Sequence, residues 1–144
     1  MSNFINISIL IPTLPMAASL FIFVLLASFN RTINRLTKPV SAIIGLSLLS
    51  SCLISSYYYF RKIEEDLVLS NILNFFEGTN LVLHLNLMSE KIIIFFSLIM
   101  IIVVGLSFVK LPRKKGYVSL MISLGLIYSS VILSVMLIDI ASLI

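Results

Sequence analysis

The chain has 144 residues, 60% of them hydrophobic and only 11% charged, with a mean hydropathy of +1.17. That balance leaves no room for a separate water-soluble domain with its own core. Its net charge of +4 gathers in short connections without interleaved aromatics, which sets nucleic-acid binding aside. Four stretches, 1–30, 39–60, 92–109 and 116–138, contain no charged residue. About 20 apolar residues in a helix cross the roughly 30 Å hydrocarbon layer, and even 18 reach about 27 Å. The sequence therefore predicts an all-α membrane protein, a single transmembrane domain over 1–144, with helices at about 5–29, 39–60, 91–109 and 117–139. A partly structured extramembrane loop, 61–90, joins the second helix to the third.

In the first stretch, Pro12 and Pro15 each remove a backbone donor, so regular helix is expected from about Pro15 to Phe29. No basic segment precedes this stretch and no small-residue cleavage pattern follows it, so the helix is expected to stay in the mature protein. Pro39 suits the first turn of the second helix, which ends in Tyr57, Tyr58 and Tyr59 followed by Arg61 and Lys62. Tyrosines followed by basic residues mark a membrane interface, with the cations reaching headgroups. Cys52, the one cysteine, can form no internal disulfide and reads as a buried packing residue.

Within the long loop, 67–76 has helix-like apolar spacing, Glu77-Gly78-Thr79-Asn80 reads as a turn, and 81–87 partly alternates as a short strand does. Ser89-Glu90-Lys91 reads as the start of the third helix, with Glu90 at the positive end of the helix dipole. A tight cationic turn at 110–116 leads into the fourth helix.

Arg31, Arg35 and Lys38 in the first connection and Lys110, Arg113, Lys114 and Lys115 in the third give seven basic residues and no acid on one side of the bilayer. The middle loop holds three basic and five acidic residues. The positive-inside rule then puts the first and third connections in the cytoplasm and both termini on the lumenal or periplasmic side.

Little in the chain can carry chemistry. His84 is the one histidine, too few for a zinc site. Glu64-Glu65-Asp66 beside Arg61 and Lys62 reads as a solvated helix end rather than a cation site. There is no phosphate loop, Gly-x-Ser-x-Gly, Cys-x-x-Cys or His-Glu pair, so no catalytic residue, metal or cofactor is assigned and no autonomous enzyme is expected. Asp139, near the end of the fourth helix, falls at the interface rather than inside the membrane, and the spans otherwise carry almost no ionisable group of the sort that relays protons. Ser47, Ser50, Ser51, Ser55, Ser56, Ser123, Ser129, Ser130 and Ser134 suggest close helix packing instead.

The segments Ile11-Pro12-Thr13-Leu14-Pro15 and Ser28-Phe29-Asn30-Arg31-Thr32-Ile33-Asn34-Arg35-Leu36 resemble the beginning of the chain-5 (F) subunit of the cyanobacterial and plastid NAD(P)H dehydrogenase-like complex. Leu83-His84-Leu85-Asn86-Leu87-Met88-Ser89-Glu90-Lys91 falls where that family has its lumenal hairpin and the start of helix three, and Lys115-Gly116-Tyr117-Val118 resembles its opening of helix four. Glu90 stands in place of the family's aspartate, Lys91 in place of a proline or histidine, and Ser119-Leu120 in place of an Arg-Phe pair. The family's proton path lies on later helices, so no proton-transfer residue carries over. The resemblance implies a small noncatalytic membrane subunit or assembly partner of an NAD(P)H-quinone oxidoreductase (complex I-type) membrane arm. Larger membrane subunits and the lipid bilayer would be its partners, in a thylakoid or plasma membrane. A companion to a related inorganic-carbon uptake complex is a variant of that reading. A photosystem accessory subunit is one alternative. A four-helix multidrug transporter is another, but that class needs a carboxylate in mid-helix one, where this chain has Ala17, Ala18, Ser19, Leu20 and Phe21.

Overall fold

The computed structural model describes residues 7–29, 36–61, 65–68, 82–85, 87–110 and 116–141. A 3-10 turn, Ile7–Ile9, leads into α1 (Leu10–Ser28), followed by α2 (Thr37–Arg61), β1 (Glu65–Val68), β2 (Val82–Leu85), α3 (Leu87–Lys110) and α4 (Tyr117–Ala141). All four helices are long and apolar enough to cross a membrane, so the chain is an integral membrane protein. α1 packs between α2 and α4, and so does α3; α2 and α4 also touch, which leaves α1 and α3 at opposite corners of the bundle.

The helices are apolar almost all round, and buried serines share the interior with large side chains such as Ile22, Ile44, Leu48 and Ile132. Ser19, Ser47, Ser51, Ser55, Ser97 and Ser129 are buried, while Leu53, Phe60, Phe95 and Val109 stand exposed. Lipid is as apolar as leucine, so helix contacts gain most from close backbone approach and cross-helix hydrogen bonds. Of the serines expected to pack, Ser50 and Ser56 are half-buried, and Ser123, Ser130 and Ser134 face outward, bonded to carbonyls of their own helix. Cys52 is half-buried rather than buried.

Helix starts differ most from expectation at two places. α1 begins at Leu10, ahead of both prolines, because Pro12 sits in the first turn, where an N–H has no helical partner anyway. α3 begins at Leu87, so Ser89-Glu90-Lys91 lies inside its first turn rather than before it. Thr37 and Arg61 extend α2 slightly beyond the expected 39–60, and Ala141 extends α4 beyond 139.

β1 and β2 pair antiparallel, Glu65 opposite Leu85 and Val68 opposite Val82, and β2 lies against α4. Leu67 and Val68 are thus strand, where helix-like spacing was read; the turn at 77–80 lies outside the described residues. Gly116 opens α4 with φ +91°, a conformation that L side chains rarely adopt, and its carbonyl accepts the Leu120 N–H at 2.9 Å.

Candidate functional site

Pro15 lies inside α1 and has no N–H to give to the Ile11 carbonyl, its partner in a regular helix. Ser51 of α2 supplies the missing donor: its Oγ bonds the Ile11 carbonyl at 2.8 Å. The hydroxyl of Tyr128, on α4, lies 2.8 Å from Ser51 Oγ and 2.6 Å from Ser97 Oγ on α3. Each hydroxyl has one proton. With that of Ser51 committed to the carbonyl, Tyr128 donates to Ser51, and Ser97 donates to Tyr128 in competition with its own-helix acceptor, the Ile93 carbonyl at 2.6 Å.

The result is a thread of contacts, Ser97, Tyr128, Ser51 and the Ile11 carbonyl, with one member on each of the four helices. All four residues are fully buried. Tyr128 is the twelfth of 25 residues in α4, Ser97 the eleventh of 24 in α3 and Ser51 the fifteenth of 25 in α2, so the thread crosses the middle of those helices. Phe96 stacks parallel to the Tyr128 ring, centroids 5.8 Å apart, and fixes its plane.

Beside the thread, α1 and α4 approach closely. A Cβ built on Gly125 would run into Ser19 Oγ, so any larger residue there must displace the Ser19 hydroxyl. Ser19 turns its hydroxyl back to the Pro15 carbonyl at 2.7 Å, and Ser129 does the same to the Gly125 carbonyl at 2.7 Å.

One turn further along α2, Ser55 Oγ reaches the Glu90 backbone carbonyl at 3.5 Å. Glu90 itself is fully buried in the first turn of α3. This adds one ionisable group to an interior expected to hold almost none: α3 already begins at Leu87, so Glu90 belongs to its first turn and its side chain is enclosed by the bundle. Ser8, Tyr58 and Ser89 are buried as well, so the end of the bundle where α2 finishes and α3 starts is polar inside.

Outside, the same end carries the aromatic and basic groups of an interface. Lys91 is exposed with Nζ 5.9 Å from the Tyr59 ring centroid, and the Arg61 guanidinium lies 5.7 Å from that of Tyr57. Tyr58, between them, points inward. Lys38 and Lys110 are exposed at the opposite end, in the first turn of α2 and the last residue of α3. Asp139 falls in the last turn of α4, and its side chain lies outside the described residues, as do Arg31, Arg35, Arg113, Lys114 and Lys115. Among the described residues no group of three or more His, Cys, Asp or Glu side chains comes together.

Sequence reading singled out Ser51 and Ser55 for packing but passed over Ser97 and Tyr128. The available signal was a tyrosine in mid-span, whose hydroxyl must find a partner in hydrocarbon. Tyr128→Phe keeps the ring stack and deletes two interhelical bonds; at about 0.6 to 1.7 kcal/mol per bond in membranes it is expected to destabilise the detergent-solubilised bundle by about 1–3 kcal/mol in thermal unfolding. An unchanged melting temperature would show that the thread adds nothing to stability. No protein-family model, curated protein or solved structure matches the chain.

Proposed function

We propose that the chain is a small noncatalytic membrane subunit or assembly partner of an NAD(P)H-quinone oxidoreductase (complex I-type) membrane arm, packed against larger membrane subunits. The observation that carries the noncatalytic part is the thread itself. Its hydroxyls are bonded to one another and to the Ile11 carbonyl, tying four helices together. Between 22% and 39% of each span is buried within the chain, so most of every helix is left for lipid or for neighbouring subunits. The choice of complex rests on the resemblance of 11–15 and 28–36 to the start of the F-type subunit. In this reading the protein sits in a thylakoid or plasma membrane with both termini on the lumenal or periplasmic side. At the depth where a four-helix multidrug transporter needs its carboxylate, α1 presents Ser19, buried against Gly125.

The test is purification of the tagged protein from native membranes in mild detergent, with native electrophoresis and mass spectrometry of what migrates with it. Dehydrogenase-like membrane subunits in the same band are expected; a small homodimer without companions would overturn the proposal. Removing the protein is expected to impair assembly of the complex more than its proton stoichiometry. Loss of pumping in Asp139→Asn with assembly intact would rule out a passive subunit.

A further inference from the structure

A groove of about 300 Å³ runs between α2 and α3 on the outer surface of the bundle. Ala42, Gly45 and Gly105 leave it hollow, Leu49 and Phe108 wall it, and Lys38 stands at its end. Both glycines differ from Gly125: a Cβ built on Gly45 or Gly105 meets nothing within 4 Å. Among the described residues, no side chain fills the space that they keep open.

From Lys38 to Leu49 the helix axis advances about 16 Å, roughly half of the ~30 Å hydrocarbon layer, so the groove is one leaflet deep. A single hydrocarbon chain of that leaflet matches this length.

Charge selects the headgroup. Lys38 is exposed at the groove's end, and Lys110 is exposed at the end of α3 on the same side of the bundle. The two connections on that side hold seven basic residues and no acid, a composition that draws anionic lipid to the adjoining leaflet. We propose that the groove binds one acyl chain of an anionic phospholipid from this leaflet, with its phosphate at Lys38. The inference stands on the groove alone and is independent of which complex the protein joins.

Native mass spectrometry of the full chain, purified in nonionic detergent and offered phosphatidylglycerol and phosphatidylcholine with identical acyl chains, tests this. The wild type is expected to retain one lipid and to prefer phosphatidylglycerol. Lys38→Gln is expected to reduce that preference about fivefold, the contribution of one lysine near a membrane surface. Gly45→Leu/Gly105→Leu fills the hollow and is expected to release the lipid, with helicity preserved because a Cβ at either position meets nothing within 4 Å. Equal retention of the two lipids, no retained lipid, or a filled variant that keeps its lipid would each overturn the proposal. So would a wild-type dimer that the filled variant disperses, which would give the groove to a second copy of the chain. Should the double variant fail to fold, Lys38→Gln, a change to an exposed lysine, decides through the headgroup preference.

Discussion

Gly125→Leu is expected to cost about 3 kcal/mol or more, the upper part of the range for forcing carbon into a packed core, and to broaden or abolish the thermal transition of the purified protein followed by far-UV circular dichroism. Gly125 is where three helices converge: a Cβ there runs into Ser19 Oγ of α1 and comes within 3.3 Å of Ser19 Cβ and 3.4 Å of Ile44 Cδ1 of α2. Ser19 is fully buried and its hydroxyl is engaged with the Pro15 carbonyl, while Ile44 is equally enclosed, so neither has room to yield. Gly125→Ala should be milder, about 1 kcal/mol, because one methyl displaces only the Ser19 hydroxyl and alanine is the better helix former. Ser19→Gly in that background should restore most of the loss. A Gly125→Leu protein that melts like the wild type would mean that α1 and α4 do not approach as closely as the structure has them.

The second large effect concerns Ser51. Its replacement by alanine deprives the Ile11 carbonyl of its donor and Tyr128 of an acceptor, and two interhelical bonds at about 0.6 to 1.7 kcal/mol each put the cost at about 1–3 kcal/mol. The carbonyl needs Ser51 only because residue 15 is a proline. Pro15→Ala returns an N–H to α1, so Ser51→Ala should be less damaging in the Pro15→Ala background, with a coupling of about 1 kcal/mol in a double-mutant cycle of unfolding free energies. The Tyr128 contribution survives in both backgrounds and cancels from the cycle. Additivity to within a few tenths of a kcal/mol would show that Ser51 does not repair the proline gap.

The spans could be read from the sequence because charge is absent from them and concentrated between them; α2 and α4 begin and end within two residues of expectation. The start of α3 was misplaced because Ser89-Glu90-Lys91 looks like a capping signal, although the apolar pair Leu87-Met88 before it is already helical. The start of α1 was misplaced because a proline's missing hydrogen bond was judged locally, whereas Ser51 completes it from 40 positions along the chain. The same non-locality hides the interior. Helices that are apolar on every side give no amphipathic direction, so nothing in the pattern separates the inward Ser51, Ser55 and Ser129 from the outward Ser123, Ser130 and Ser134. Glu90 stands next to Lys91 in sequence, yet one is enclosed and the other exposed.

The proline in α1 also has a bearing on biosynthesis. α1 leaves the ribosome first and carries an Ile11 carbonyl that its own helix cannot satisfy, a defect worth several kcal/mol in hydrocarbon. α2 brings the hydroxyl that covers it, and α4, made after the other three, brings the phenol that joins α2 to α3. Until α2 is inserted, α1 therefore holds an open carbonyl in the membrane, and the tie between α2 and α3 waits on α4.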